Sequence, residues 1–80
     1  MHITVNIYAY LRQYLRHAEN LIRHKTWEVP DSTTVGQVLE KLNLPKEVGI
    51  TVLINNNRAD QKTILKEGDI VHILPQMGGG

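Results

Sequence analysis

The last five residues, Gln76-Met77-Gly78-Gly79-Gly80, are the part of this chain whose types and order point to chemistry. Glycine has no Cβ and the widest backbone freedom. A run of it at a free C-terminus presents a carboxylate that no side chain shields, and it can thread a channel too narrow for any other residue. The expectation is a protein whose chemistry happens at its own terminal carboxylate, on Gly80, and is carried out by another enzyme. Glycine runs also serve as linkers, and chain ends are commonly disordered. The tail therefore gains meaning only from what precedes it.

Other candidate groups are weaker. His2, His17, His24 and His72 form no close pair, and there is no cysteine to supply a thiolate, so no metal site is expected. Glu28, Asp31 and Glu40 offer no acid/base pair, and no nucleophile motif surrounds Ser32. Lys66-Glu67-Gly68-Asp69 has the composition of a turn and not of a phosphate loop. No catalytic side chain is expected, which suits a carrier or small subunit rather than an enzyme. Arg12, Arg16, Arg23, His24 and Lys25 make a loosely basic segment near Tyr8, Tyr10 and Tyr14. A phosphate- or RNA-binding patch is weighed there against a solvated face, and the balanced net charge of +1 favours the solvated face. Neither nucleic acid nor membrane is an expected partner. No apolar run approaches the roughly 18 residues of a membrane span, and no secretory signal is visible, so a cytoplasmic location is the default expectation.

The elements that must hold the tail can be read from periodicity. Ile3, Val5 and Ile7 alternate with polar residues and predict a first strand. Leu11, Tyr14, Leu15 and Ala18 have helical spacing and predict a short helix over about 9–16, with a connection at 18–20. Residues 25–29 predict a second strand, starting as early as Leu21 and ended by Pro30. Thr34 with Gln37 three residues on is a capping box. Val35, Val38, Leu39 and Leu42 then form one apolar stripe, and the helix ends before Pro45. Gly36 in its first turn is expected to pack closely on the sheet. Residues 51–54 predict a third strand, Asn55-Asn56-Asn57 a turn, and Arg58-Ala59 a short return strand. Residues 69–74 predict the last strand, with Val71 and Ile73 on one face and Ile70, His72 and Leu74 on the other. Trp27 is either core or part of an exposed partner face.

With no cysteine, the 80 residues must be held by one aliphatic core. One long helix is available to cover a mixed sheet of four to five strands. The two most apolar strands, first and last, belong at its centre. This is an α+β, β-grasp (ubiquitin-like) arrangement: a domain over 1–75 with a short helix after the first strand, and a flexible tail over 76–80. A central last strand would deliver the tail from one end of the sheet.

The chain resembles a known family. The residues that carry the likeness are Leu11-Arg12, then Glu28-Val29-Pro30-Asp31-Ser32-Thr33-Thr34-Val35, then Val52-Leu53-Ile54-Asn55, and finally Leu65-Lys66-Glu67-Gly68-Asp69-Ile70-Val71 leading to Leu74-Pro75 and the glycines. These are similar to the small sulfur carriers of the MoaD/ThiS family, with the short helix and length favouring the molybdopterin synthase small subunits. The resemblance implies that an E1-like enzyme adenylates the terminal carboxylate with ATP and that a sulfur donor converts it to a thiocarboxylate. It also implies delivery of the sulfur to an acceptor such as a molybdopterin synthase large subunit. Under it the modified residue is Gly80, or Gly79 if the end is trimmed. Met77, Gly78, Gly79 and Gly80 would enter a partner's active site, and His72, Leu74 and Pro75 would dock nearby. The carrier itself would bind no cofactor; ATP and the sulfur donor belong to the partner. Thiamine-type sulfur carriers and ubiquitin-like modifiers conjugated to lysines share such an ending. The family pattern ends in two glycines, whereas this chain has three.

Overall fold

The computed structural model describes residues 1–76. Five strands, β1 (His2–Ile7), β2 (Thr26–Glu28), β3 (Ile50–Ile54), β4 (Asn57–Ala59) and β5 (Ile70–Pro75), form one mixed sheet in the order β2-β1-β5-β3-β4. The fold is a ubiquitin-like β-grasp, and the last strand is central, as its apolar alternation predicts. β5 runs parallel to β1, with Val5 beside Val71 and Ile7 beside Ile73, and antiparallel to β3, with Val52 beside Ile73.

The alternation sorts the two faces of the sheet. Ile3, Val5, Val52, Val71 and Ile73 are buried on one face together with Val35, Val38 and Leu42 of the main helix α2 (Val35–Leu42). Each such side chain stabilises by about 1.5–3 kcal/mol when removed from water. Leu11, Leu15 and Leu65 close the core. Trp27 belongs to it as well: it is 5% exposed, and its indole N–H donates to the His24 carbonyl at 2.9 Å. Trp27 therefore presents no partner face.

The capping box is present in full. The Thr34 hydroxyl accepts from the Gln37 N–H, and the Gln37 side-chain oxygen accepts from the Thr34 N–H. The remaining free N–H groups of the first turn need partners of their own. Those of Val35 and Gly36 donate to the Thr63 and Gln61 carbonyls of a loop laid across the helix start. Gly36 is explained by that loop and not by the sheet, because a Cβ at this position would lie 3.1 Å from the Gln61 carbonyl oxygen. Asn43 ends the helix at φ 50°, in the left-handed region that Asn tolerates.

The short helix expected after β1 is present, but as a 3-10 element, and the rest of the segment before β2 differs from expectation. The segment has two 3-10 turns (Ala9–Tyr14 and Arg16–Ala18), followed by helix α1 (Glu19–Arg23). Leu21 lies in this helix and not in a strand. None of the three elements has a side-chain cap, so no N-terminal signal marks them. Their register is set by burial of Leu11, Leu15 and Ala18 and by His17, whose Nε2 donates to the Leu42 carbonyl at 2.8 Å.

Candidate functional site

Met77, Gly78, Gly79 and Gly80 lie outside the described residues, so the site is approached from its base. Pro75 is the last residue of β5 and pairs with Ile50; the strand includes it, although proline cannot donate to the ladder. The next donor restores the contact: the Gln76 N–H donates to the Gly49 carbonyl at 2.9 Å. Gly49 is suited to this crossing. A Cβ there would come within 3.2 Å of the Gln76 Cβ and 2.5 Å of its Oε1. Gly49 was not singled out from sequence, because its reason lies 27 positions away in the chain. The only signal available was its place immediately before an apolar strand.

Beside this crossing is a hollow of about 410 Å³ lined by Tyr10, Tyr14, Pro45, Val48, Pro75 and Gln76, among others. Tyr10 and Tyr14 meet edge to face, with ring centroids 6.2 Å apart. Tyr10, as hydrogen-bonding partner and as neighbouring charge, raises the Tyr14 phenol above its ordinary value of 10.0. The two rings give the hollow an aromatic wall.

His72 and Leu74 fall on the sheet face that α2 does not cover. His72 stands between Asn6 of β1 and Leu53 of β3, and Leu74 beside Thr51. Both are half-buried, while Ile70 on the same face is 42% exposed. The structure thus brings Leu74 and Pro75 to the base of the tail and puts His72 one step further back along β5. Tyr8, exposed just beyond β1, joins this end of the sheet through its N–H, which donates to the Ile73 carbonyl at 3.0 Å.

The opposite end of β5 reads from sequence only as a turn, yet side-chain hydrogen bonds tie it to the 55–57 turn. Asp69 is buried; its Oδ2 accepts from the Lys66 N–H at 2.8 Å and its Oδ1 from the Asn55 Nδ2 at 3.0 Å. The Asn55 side-chain oxygen accepts from the Ile70 N–H, and its backbone N–H donates to the Ile70 carbonyl. Gly68 supplies the positive φ, 82°, that the turn requires. Among the described residues no cluster of three metal-ligating side chains occurs, and no helix is long and apolar enough to cross a membrane.

The model of the ThiS family matches residues 5–80. No curated protein sequence matches the chain. Among solved structures, small archaeal modifier protein 1 of Haloferax volcanii aligns with a TM-score of 0.64 at 21% identity, over 92% of this chain and 95% of that one. The Pyrococcus furiosus protein named as a molybdopterin converting factor, subunit 1, aligns with a TM-score of 0.70 at 17% identity, over 94% and 97%. A chain of the BexX/CysO complex of Amycolatopsis orientalis aligns with a TM-score of 0.60 at 22% identity, over 98% and 99%. At these identities the structural likenesses establish the shared fold.

Proposed function

The chain belongs to the ThiS family, and from that premise we propose that it is a sulfur carrier working through the carboxylate of its last glycine. The observation that carries this reading is the extent of the family match, which runs through the glycines on a chain whose central strand leads directly to them. A carboxylate is a poor electrophile until it gains a leaving group. An E1-like enzyme would join it to AMP from ATP with release of pyrophosphate. A sulfide equivalent from a sulfur donor would then attack the acyl carbon and expel AMP, leaving a thiocarboxylate on Gly80, or on Gly79 if the end is trimmed.

The domain's part is to aim and to dock. Four residues follow Gln76, so the reactive carbon reaches no more than about 14 Å beyond the last described residue. Transfer therefore requires the acceptor to seat against the tail end of the sheet. Leu74, Pro75 and the Tyr10–Tyr14 hollow are the surfaces available there, with His72 behind them. The most fitting acceptor is the large subunit of a molybdopterin synthase, a reading supported by the fold shared with the Pyrococcus furiosus protein. The alternatives are a thiamine-type carrier, or conjugation to lysines through the same acyl-adenylate, and the likeness to small archaeal modifier protein 1 supports the conjugation reading.

Incubation with an activating enzyme, ATP and a sulfur source, followed by intact-mass measurement, tests the reading. Replacement of one oxygen by sulfur adds about 16 Da. An unchanged mass with an enzyme that activates family members opposes it, and isopeptide-linked glycine on lysines of other proteins selects the modifier reading. Addition of a molybdopterin synthase large subunit and its sulfur-free precursor tests the acceptor: molybdopterin forms only if the carrier serves that pathway.

A further inference from the structure

The segment joining β1 to β2 carries a feature that the tail chemistry does not use. Arg12, Arg16, Arg23 and Lys25 line a single groove of about 490 Å³, backed by Leu15 and Ile22. Glu19 is the one carboxylate in its lining. Four of the nine Lys and Arg side chains are gathered there against one of the eight Asp and Glu. The groove therefore carries a net +3. The other five cations and seven carboxylates leave −2 elsewhere, which makes up the +1 of the whole chain. All four cations are exposed, and none forms an ion pair with a described residue. The near-neutral net charge conceals a concentrated positive field on one face.

We infer that this groove docks an acidic, extended segment of a partner protein. Its carboxylates meet Arg12, Arg16, Arg23 and Lys25, and an apolar side chain rests on Ile22 between them. Charge complementarity and the one carboxylate in the lining favour an acidic peptide segment over a densely charged phosphate ligand. Arg12 comes from the first 3-10 turn, Arg16 from the second and Arg23 from α1, so the guanidinium groups of the groove are supplied by three successive elements. Glu19 stands among them and repels a dense phosphate charge, while leaving room for spaced carboxylates. The guanidinium fork pairs bidentately with a carboxylate, as it does with a phosphate, so the parallel titrations decide between them. The inference is independent of the tail chemistry, since none of these residues belongs to the tail or its base.

The test is an NMR titration of the full, isotope-labelled chain with a short synthetic peptide of glutamate and leucine. Parallel titrations use inorganic triphosphate and an oligouridylate. The peptide is expected to shift the amides of Leu15, Arg16, Ile22 and Arg23 in low salt, and to bind more weakly as salt screens the charges. The R16E/R23E double substitution is expected to weaken peptide binding about tenfold or more, and the R16K/R23K pair, which keeps the charge and loses the fork, to weaken it by less. If R16E/R23E perturbs the core spectrum, R12E/K25E provides the same reversal from the other side of the groove. Absence of shifts at these amides overturns the inference, as does peptide binding indifferent to the reversals. Tighter binding of triphosphate or oligouridylate at the same amides also overturns it.

Discussion

The two ends of β5 are built differently. At the entrance, Asp69 and Asn55 tie two turns together: each accepts a backbone N–H through its side chain, and their side chains bond each other. At the exit, one backbone bond from Gln76 to Gly49 is the last contact before the tail. Both ends belong to the same central strand, flanked by β1 and β3. The asymmetry suits a strand that is fixed at one end so that it can present its other end. Side-chain hydrogen bonds hold the entrance, where no chemistry is proposed, and backbone pairing sets where the tail begins.

Substitutions at the two ends should therefore separate stability from activity. The largest stability loss is expected for Asp69→Ala. It removes two hydrogen bonds from a buried carboxylate and leaves the Lys66 N–H and the Asn55 amide without partners, at a cost of about 2–3 kcal/mol. In a domain of this size that lowers Tm by roughly 10–20 °C, as calorimetry would show. Asn55→Ala comes next, at about 1–2 kcal/mol, because it loses the clamp and also forces a residue with a Cβ but no local hydrogen bond to keep φ 50°. A chemical-denaturation series would rank the two. If either matches a surface substitution in cost, the entrance is not the anchor described.

At the exit, Gly49→Val should cost about 1 kcal/mol, since the Gln76 amide end can swing aside while its Cβ, fixed to the backbone, must shift by a few tenths of an ångström. It should, however, speed hydrogen exchange at the Gln76 amide without affecting that of Ile70. Removal of residues 78–80 is the smallest perturbation of folding, within about 0.5 kcal/mol, and should nonetheless abolish sulfur loading. A truncated chain that still acquires sulfur would remove the distinction between the two ends.

The contrast also explains what could be read from sequence. The central strand was legible because Val71 and Ile73 alternate with Ile70, His72 and Leu74. The main helix was legible because Thr34 and Gln37 signal its start locally. The glycines were legible by type. Segment 9–23 was legible in part. The spacing of Leu11, Tyr14, Leu15 and Ala18 marks a short helix after β1, found as the 3-10 turn Ala9–Tyr14. Helix α1 was missed because it lacks a cap and Leu21 and Ile22 read as well in a strand as in a helix. The Asp69–Asn55 clamp and the Gly49–Gln76 crossing join residues distant in sequence, and neither partner shows its role without the other. The basic groove falls between these cases. Its residues were visible as a run, but their gathering around one carboxylate depends on how the 3-10 turns and α1 fold against Leu15.

The central claim is that the reactive atom of this protein is the terminal carboxyl carbon and that the domain only holds and presents it. Fragmentation mass spectrometry of the sulfur-loaded protein tests this most directly. The account predicts that the added mass of about 16 Da resides wholly on the C-terminal glycine and that no fragment ending before residue 78 carries it. Added mass on an internal residue, or none on the terminal glycine after complete reaction with an activating enzyme, ATP and a sulfur source, would contradict it.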